Sequence, residues 1–219
     1  MQRGLAVANL LVPFGIRLSG SQTEQVLTYL ELLLRWNGKI NLTAINKPED
    51  CIRRHFGESF YLGTLMGLEG RLLDVGSGAG FPGLALKVMF PALQVILLEP
   101  KMRKCAFLKE VSRQCGFSEV EIRSEGVGNY RVSAEFAAAD IVTSRAVGSS
   151  ARLIQGASDC LKQNGALCLW TTSRLRERIQ SAPERISWMK PAKIPNSRER
   201  IILIGRKIGD SNAAGLISL

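Results

Sequence analysis

The sequence is poor in the residues that most catalytic and metal centres use. It holds a single histidine, His55, among 219 residues. That argues against a zinc site, and no nucleophile motif is visible. Cys51, Cys105, Cys115, Cys160 and Cys168 form no C-x-x-C and no close pair at metal-ligand spacing. An odd number of cysteines in apolar surroundings reads as buried free thiols in a reducing cytoplasm. No run approaches the roughly 18 apolar residues of a membrane span. The opening "MQRGLAVANLLVPFGIRLSG" is apolar but broken by Pro13, and no A-x-A site follows, so it is not read as a signal peptide. No internal repeat or low-complexity tract is present. The expectation is a cytoplasmic protein, a monomer, with no metal and no membrane partner.

Negative charge is scarce too. Lys and Arg number 29 against 19 acids, a net charge of +10. Such an excess favours a polyanionic partner through neutralised phosphates and released counterions. Hydrophobic residues make up 46%, enough for a sizeable core.

The first twenty residues are poorly patterned. Ser21-Gln22-Thr23-Glu24 reads as a capping box. Val26, Leu27, Leu30, Leu33 and Leu34 follow at helical spacing, predicting a helix over about 21–36. After a polar turn, a second helix is expected over 49–66. From Gly70 the pattern changes. "RLLDVG", "QVILLEP", "VEIRS", "ADIVTSRAV" and "GALCLWT" read as strands, apolar throughout, as strands buried on both faces should be. Helices are expected at "FPGLALKVMF", with Pro82 in the first turn, at "KMRKCAFLKEVSRQCG", ending at Gly116, and over 149–162. "RERIILIGRK" closes the series. This alternation predicts an α/β Rossmann-like, mostly parallel sheet over 70–207, behind a helical extension over 1–69 and before a tail over 208–219.

The chemistry concentrates in "LLDVGSGAGFPGLALK", from Leu72 to Lys87. Gly78 to Gly83 matches the dinucleotide pattern G-x-G-x-x-G, but it starts late for a tight strand exit. From Asp74 the pattern is D-x-G-x-G-x-G, through Gly76, Gly78 and Gly80. A carboxylate at Asp74 would repel a pyrophosphate and suit a cation. S-adenosylmethionine carries an ammonium and a sulfonium and no phosphate. Glu99, 25 residues after Asp74, ends the next strand, where an acid can accept from both ribose hydroxyls. That feature does not separate S-adenosylmethionine from NAD. A nicotinamide-dependent oxidoreductase would also need a proton donor such as Tyr-x-x-x-Lys, which is not seen. A non-catalytic basic RNA-binding or ribosome-assembly factor would be expected to have lost the site, yet Asp74, the glycines and Glu99 are all present.

These residues, with "WNGKINLTAI" (36–45), "RRHFGESF" (53–60), "RSE" (123–125) and "SRAV" (144–147), resemble the ribosomal small-subunit guanine-N7 methyltransferase family, also called the glucose-inhibited division protein B family. The resemblance covers about 36–147 and weakens beyond. It implies a class I methyltransferase fold and methylation of a guanine N7 in 16S ribosomal RNA of the 30S subunit, with S-adenosylmethionine as cofactor. Carried over by position, Gly76 and Phe81 line the cofactor, Ser124 and Glu125 flank its adenine, and Arg145 lies near it. Two departures stand out. Glu58-Ser59-Phe60 replaces the family's Asp-Ser-Leu, and "LWTTSR" replaces a Lys-Gly after the fifth strand.

N7 carries a free lone pair, so its methylation needs no general base, in keeping with the scarcity of histidine. Arg145 is read as a contact to RNA phosphate or to guanine O6. Further candidates for RNA contact are Arg53, Arg54, His55, Lys101, Arg103, Lys104, Arg123, Arg198 and Arg200, with Arg174, Arg176 and Arg178 on loops read as flanking the same face. For His55 a packing role competes with a contact to the target base. Asn41 and Thr43 read as turn-fixing residues, Trp36 as core. Trp170 reads either as a stacking platform or as a packed strand end.

Overall fold

The structure is a computed structural model and describes residues 2–125, 138–145, 151–181 and 185–209. Positions 146–147 of "SRAV", the start of the helix expected over 149–162, and 210–219 of the tail lie outside the described residues.

The chain opens with a helix the sequence did not announce, α1 (Gln2–Leu11), closed by a 3-10 turn at Val12–Phe14. Its Val7 and Leu11 are buried, while Leu5 stays in solvent. α2 runs over Gly20–Ile40. Its capping box is Ser19 with Gln22, two residues earlier than expected. Ser19 Oγ accepts from the Gln22 amide at 3.2 Å, and the Gln22 side chain accepts from the Ser19 amide at 2.9 Å. The sequence offers S-x-x-Q and S-x-x-E in overlap, and the earlier one caps. Asn41, at φ 49°, ends the helix. The second predicted helix is segmented: α3 (Pro48–Cys51), a π-helical turn over Ile52–Gly57, α4 (Glu58–Phe60) and α5 (Leu62–Leu65).

Strands and helices then alternate: β1 (Arg71–Val75), α6 (Gly83–Met89), β2 (Gln94–Leu98), α7 (Met102–Gln114), β3 (Val120–Arg123), β4 (Ala139–Ser144), α8 (Ala151–Cys160) and β5 (Leu161–Thr172). A short α9 (Arg176–Gln180) leads to β6 (Ile186–Trp188), β7 (Ala192–Lys193) and β8 (Arg200–Lys207). Pro82 sits at the N-cap of α6, one step outside the helix. Gly116, at φ 64°, follows the C-cap of α7.

The sheet order is β3-β2-β1-β4-β5-β8-β6, with β7 also paired to β8. β1 to β5 are parallel; β8 runs antiparallel to β5, β6 and β7. The order reverses between β1 and β4, so a crevice opens there beyond the strands' carboxyl ends. Alternate strand residues enter two cores. Leu72, Val95, Leu97 and Ile141 join Tyr29, Phe56 and Phe107 on one face; Leu73, Ile96, Val142 and Leu167 join Ile154 and Ile179 on the other. At about 1.5–3 kcal/mol per large aliphatic side chain, burial on both faces explains the unbroken apolar strands. The first core is continuous from α1 and α2 into the sheet, so the helical extension is packed onto the sheet face.

Candidate functional site: the glycine loop and its helical brace

The loop after β1 is built by backbone bonds that only a tight, glycine-rich chain can make. The Gly76 and Ser77 amides both donate to Leu98 O, at 2.9 and 3.0 Å, tying the end of β1 to that of β2. The Gly80 and Phe81 amides turn back to Ser77 O. Gly76, Gly78 and Gly80 have φ of 72°, 58° and 85°, a region that L side chains avoid. Two of them serve different ends. A Cβ on Gly80 would stand 2.2 Å from Tyr29 Oη, whereas one on Gly78 would meet only the Gly76 carbonyl, at 3.8 Å. Gly80 is therefore a packing glycine, and Gly78 presents bare backbone to open space.

Tyr29, from α2, holds the loop from below. It is fully buried and its hydroxyl donates to Ala79 O at 2.5 Å. Its ring stacks on Phe81 with centroids 5.1 Å apart, and His55 stacks on Phe81 at 4.7 Å. Phe56 meets Phe81 edge-on at 5.0 Å. The Phe81 ring is thus only 6% exposed. It anchors the loop to the helical unit and forms no free wall for a ligand. His55 Nε2 lies 2.9 Å from Thr43 Oγ1, and burial, with Arg145 and Arg54 nearby, lowers its pKa to about 3. His55 is thus a neutral packing residue. Thr43 also accepts from the Ile45 amide, fixing the turn as expected.

Asp74 departs from its expected role. It is fully buried, not an open carboxylate facing a cation. Oδ1 accepts from Thr143 Oγ1 at 2.8 Å, and Oδ2 from the Gly83 amide at 3.2 Å. It fastens β1 to β4 and to the start of α6. Burial raises its pKa to about 6 against these hydrogen bonds. Gly83 is needed for the approach, since a Cβ there would lie 2.9 Å from Asp74. The same contacts answer the dinucleotide question better than net charge does. Pro82 has no N–H, the Gly83 amide is given to Asp74, and the Leu84 amide to Gly80 O. These three positions, at the very start of α6, offer a pyrophosphate no donor.

Glu99 closes the corner. Its Oε2 accepts from the Gly78 amide and its Oε1 from the Lys101 amide, each at 2.9 Å. A carboxylate has about four acceptor positions, so each oxygen keeps one for a hydroxyl. Ser124 and Glu125 are exposed just past β3, the strand beside β2. Open backbone at Gly78, acceptors at Glu99 and exposed polar groups past β3 fit an adenosine with a non-phosphate tail.

On the other side of the crevice lies an ion-pair cluster that the sequence did not reveal. Glu58 is 2% exposed. Its Oε2 accepts from Arg145 Nη2 at 3.1 Å, and its Oε1 from Arg200 Nε at 2.9 Å. Arg145 also donates to Arg54 O, His55 O and Ser59 Oγ. Its terminal nitrogens are committed to the helical unit, which corrects the reading of Arg145 as an RNA contact. Arg200 is likewise partly withdrawn by Glu58. Trp170 Nε1 donates to Glu58 O at 2.8 Å and the side chain is buried, so it is a packed strand end and not a stacking platform. A buried acid inside an apolar helix was the one available signal; its partners are 87 and 142 residues away.

The remaining basic candidates lie at the surface. Arg53, Arg54, Lys101, Arg103 and Arg198 are exposed, and Lys104 is partly so. Arg123 pairs with Glu121, and Arg174 with Glu199. The five cysteines are buried and free. Among the described residues no acid, Cys or His cluster could hold a metal, and no helix is long and apolar enough to cross a membrane.

Comparison with known proteins places this geometry. A family model, rRNA small subunit methyltransferase G (GidB), matches residues 22–200. Ribosomal RNA small subunit methyltransferase G of Alkaliphilus metalliredigens (strain QYMF) is 36% identical over 178 residues, 79% of this chain and 74% of that protein. Among solved structures, TrmN from Thermus thermophilus aligns with a TM-score of 0.57 at 16% identity, over 68% of this chain and 48% of that one. A SAM dependent methyltransferase from Aquifex aeolicus aligns with a TM-score of 0.53 at 13% identity, over 69% of this chain and 90% of that one. At such identities the structures speak for the fold, that of the class I methyltransferases. The family match runs from α2 to the start of β8, across the loop, its brace and the ion-pair cluster, and this chain belongs to the rRNA small subunit methyltransferase G family.

Proposed function

We propose that this protein methylates N7 of a guanine in 16S ribosomal RNA, with S-adenosylmethionine as methyl donor. The observation that carries the reading is the Gly78–Glu99 corner beyond the carboxyl ends of β1 and β2, in a chain of this family. Gly78 lets the backbone approach the cofactor, and Glu99 accepts from its ribose hydroxyls. Ser124 and Glu125 border the adenine side. Asp74, Gly80, Phe81 and Arg145 position the loop and the crevice through their own contacts. The bound cofactor supplies a methyl group on a cationic sulfur; the N7 lone pair accepts it, the sulfur becomes a neutral thioether, and the positive charge passes to the purine.

No proton leaves N7, so the residues need only hold the base in line and exclude competing water. Lys101, Arg103, Arg53 and Arg54 supply phosphate contacts around the crevice. The protein acts as a monomer on the 30S subunit in the cytoplasm.

Calorimetry tests the cofactor: S-adenosylmethionine should bind and NAD should not. Transfer of labelled methyl from S-adenosylmethionine to 30S subunits tests the reaction. Binding without transfer to any ribosomal RNA would favour a non-catalytic assembly factor.

A further inference from the structure

The sheet carries a second feature, away from the crevice. β6, β7 and the segment after β5 enclose a groove of about 460 Å³, lined by Arg176, Trp188, Met189, Lys190, Lys193 and Ile201 among others. Its floor is apolar and its rim basic. Ile186 and Trp188 pack closely over Gly205 of β8; a Cβ there would be 2.3 Å from the Ile186 side chain and 2.8 Å from the indole. Met189 is 51% exposed, and Lys190 and Lys193 are exposed. Among the described residues, no carboxylate pairs with Arg176, Lys190 or Lys193, and no acid lines the groove. Glu199, just before β8, is bound by Arg174. The indole N–H of Trp188 is shielded and has no acceptor among the described residues.

We propose that this groove is a second RNA contact, seating an unpaired nucleobase on Trp188 and Met189 with its flanking phosphates on Lys190, Lys193 and Arg176. An aromatic floor with a cationic rim is the chemistry that holds single-stranded RNA. The proposal rests on the methyltransferase reading above, which supplies the RNA. The placement is suitable: Lys193 pairs with Ile201, beside Arg200 at the carboxyl edge of the sheet. β6, beyond β8, is four strands from β1, about 19 Å at 4.8 Å per strand. Trp188 pairs with Gly205, four residues along β8 from Ile201, so the groove reaches the crevice's edge at its Lys193 end and runs from there toward the middle of the sheet. It would hold a neighbouring nucleotide of the substrate, outside the methyl-transfer site.

The test is the charge-reversed pair Lys190→Glu/Lys193→Glu, both exposed positions, with Trp188→Phe as a milder second variant. Affinity for 16S RNA or 30S subunits is measured across a salt series, with S-adenosylmethionine affinity in parallel. The expected result for the pair is a loss of about tenfold in RNA affinity, and a salt slope reduced by about 1.4 for two phosphates on a single strand. KM for RNA should rise while kcat and cofactor affinity hold. Trp188→Phe should keep RNA affinity within about twofold. Unchanged RNA affinity and salt slope in the charge-reversed pair would overturn the proposal. Methylation by the wild-type protein, followed in the same samples, judges the activity alone, so the two readings fail separately.

Discussion

Glu58 and Arg145 form a buried ion pair at 3.1 Å that joins the helical unit to the end of β4. The second arm, Arg200, brings in the start of β8. Three chain segments distant in sequence thus meet on one carboxylate. Removing it leaves a guanidinium only 19% exposed without its counter-charge. Glu58→Ala should cost about 3 kcal/mol in denaturant unfolding, the lower end for a broken buried pair. A cost below about 1 kcal/mol would show the pair to be incidental. Arg145→Ala should cost less, since Glu58 keeps Arg200.

The glycines of the loop should separate in experiment. Gly80→Ala drives a Cβ into Tyr29 and should unfold or strongly destabilise the protein. Gly78→Ala meets open space, and its φ of 58° costs about 1–2 kcal/mol. Its main effect should be a loss of S-adenosylmethionine affinity, read by calorimetry on protein that still unfolds cooperatively. Equal effects at both positions would contradict the division of roles.

Tyr29→Phe keeps the stack on Phe81 and removes only the hydroxyl bonded to Ala79 O. The orphaned carbonyl should cost about 1–3 kcal/mol. Because that carbonyl lies between Gly78 and Gly80, cofactor affinity should fall with stability. A variant that loses stability but binds the cofactor unchanged would separate the brace from the site.

Two buried groups should oppose each other in the acid range. Asp74 is raised to about 6 from 3.8, so the native state holds a proton there that the unfolded state has released. Its contribution is full below pH 3.8 and is lost as pH rises through 6. His55 is lowered to about 3 from 6.5, so the unfolded state takes up a proton that the native state refuses. Its contribution is full above pH 6.5 and is lost as pH falls toward 3. Between about pH 4 and 6 the two slopes, each near 1.4 kcal/mol per pH unit, nearly cancel. His55→Gln should expose falling stability with rising pH in that window, and Asp74→Asn the reverse. Urea unfolding from pH 4 to 7 reads both.

The parallel strands were legible because burial on both faces leaves apolar runs with no alternation, as in Val95 to Leu98 and Ala166 to Leu169. The glycine loop was legible because its backbone conformations demand glycine. α1 was missed because only one stripe of it, including Val7 and Leu11, is buried, with Leu5 outside. The π-turn at Ile52–Gly57 has no local signature; it is set by the packing of Phe56 and the hydrogen bonds of Arg145. Asp74 was read by its charge, yet its role is set by Thr143, which lies 69 residues away. Residue type marked the candidate positions; only the tertiary contacts showed which of them stay open at the crevice and which hold the loop.

The most direct measurement is nucleoside mass spectrometry of 16S RNA after incubation of 30S subunits lacking the modification with this protein and S-adenosylmethionine. The expected result is one 7-methylguanosine per 16S molecule, with no other methylated nucleoside gained. Methyl incorporation at another atom or base, or none despite cofactor binding, would contradict the assignment.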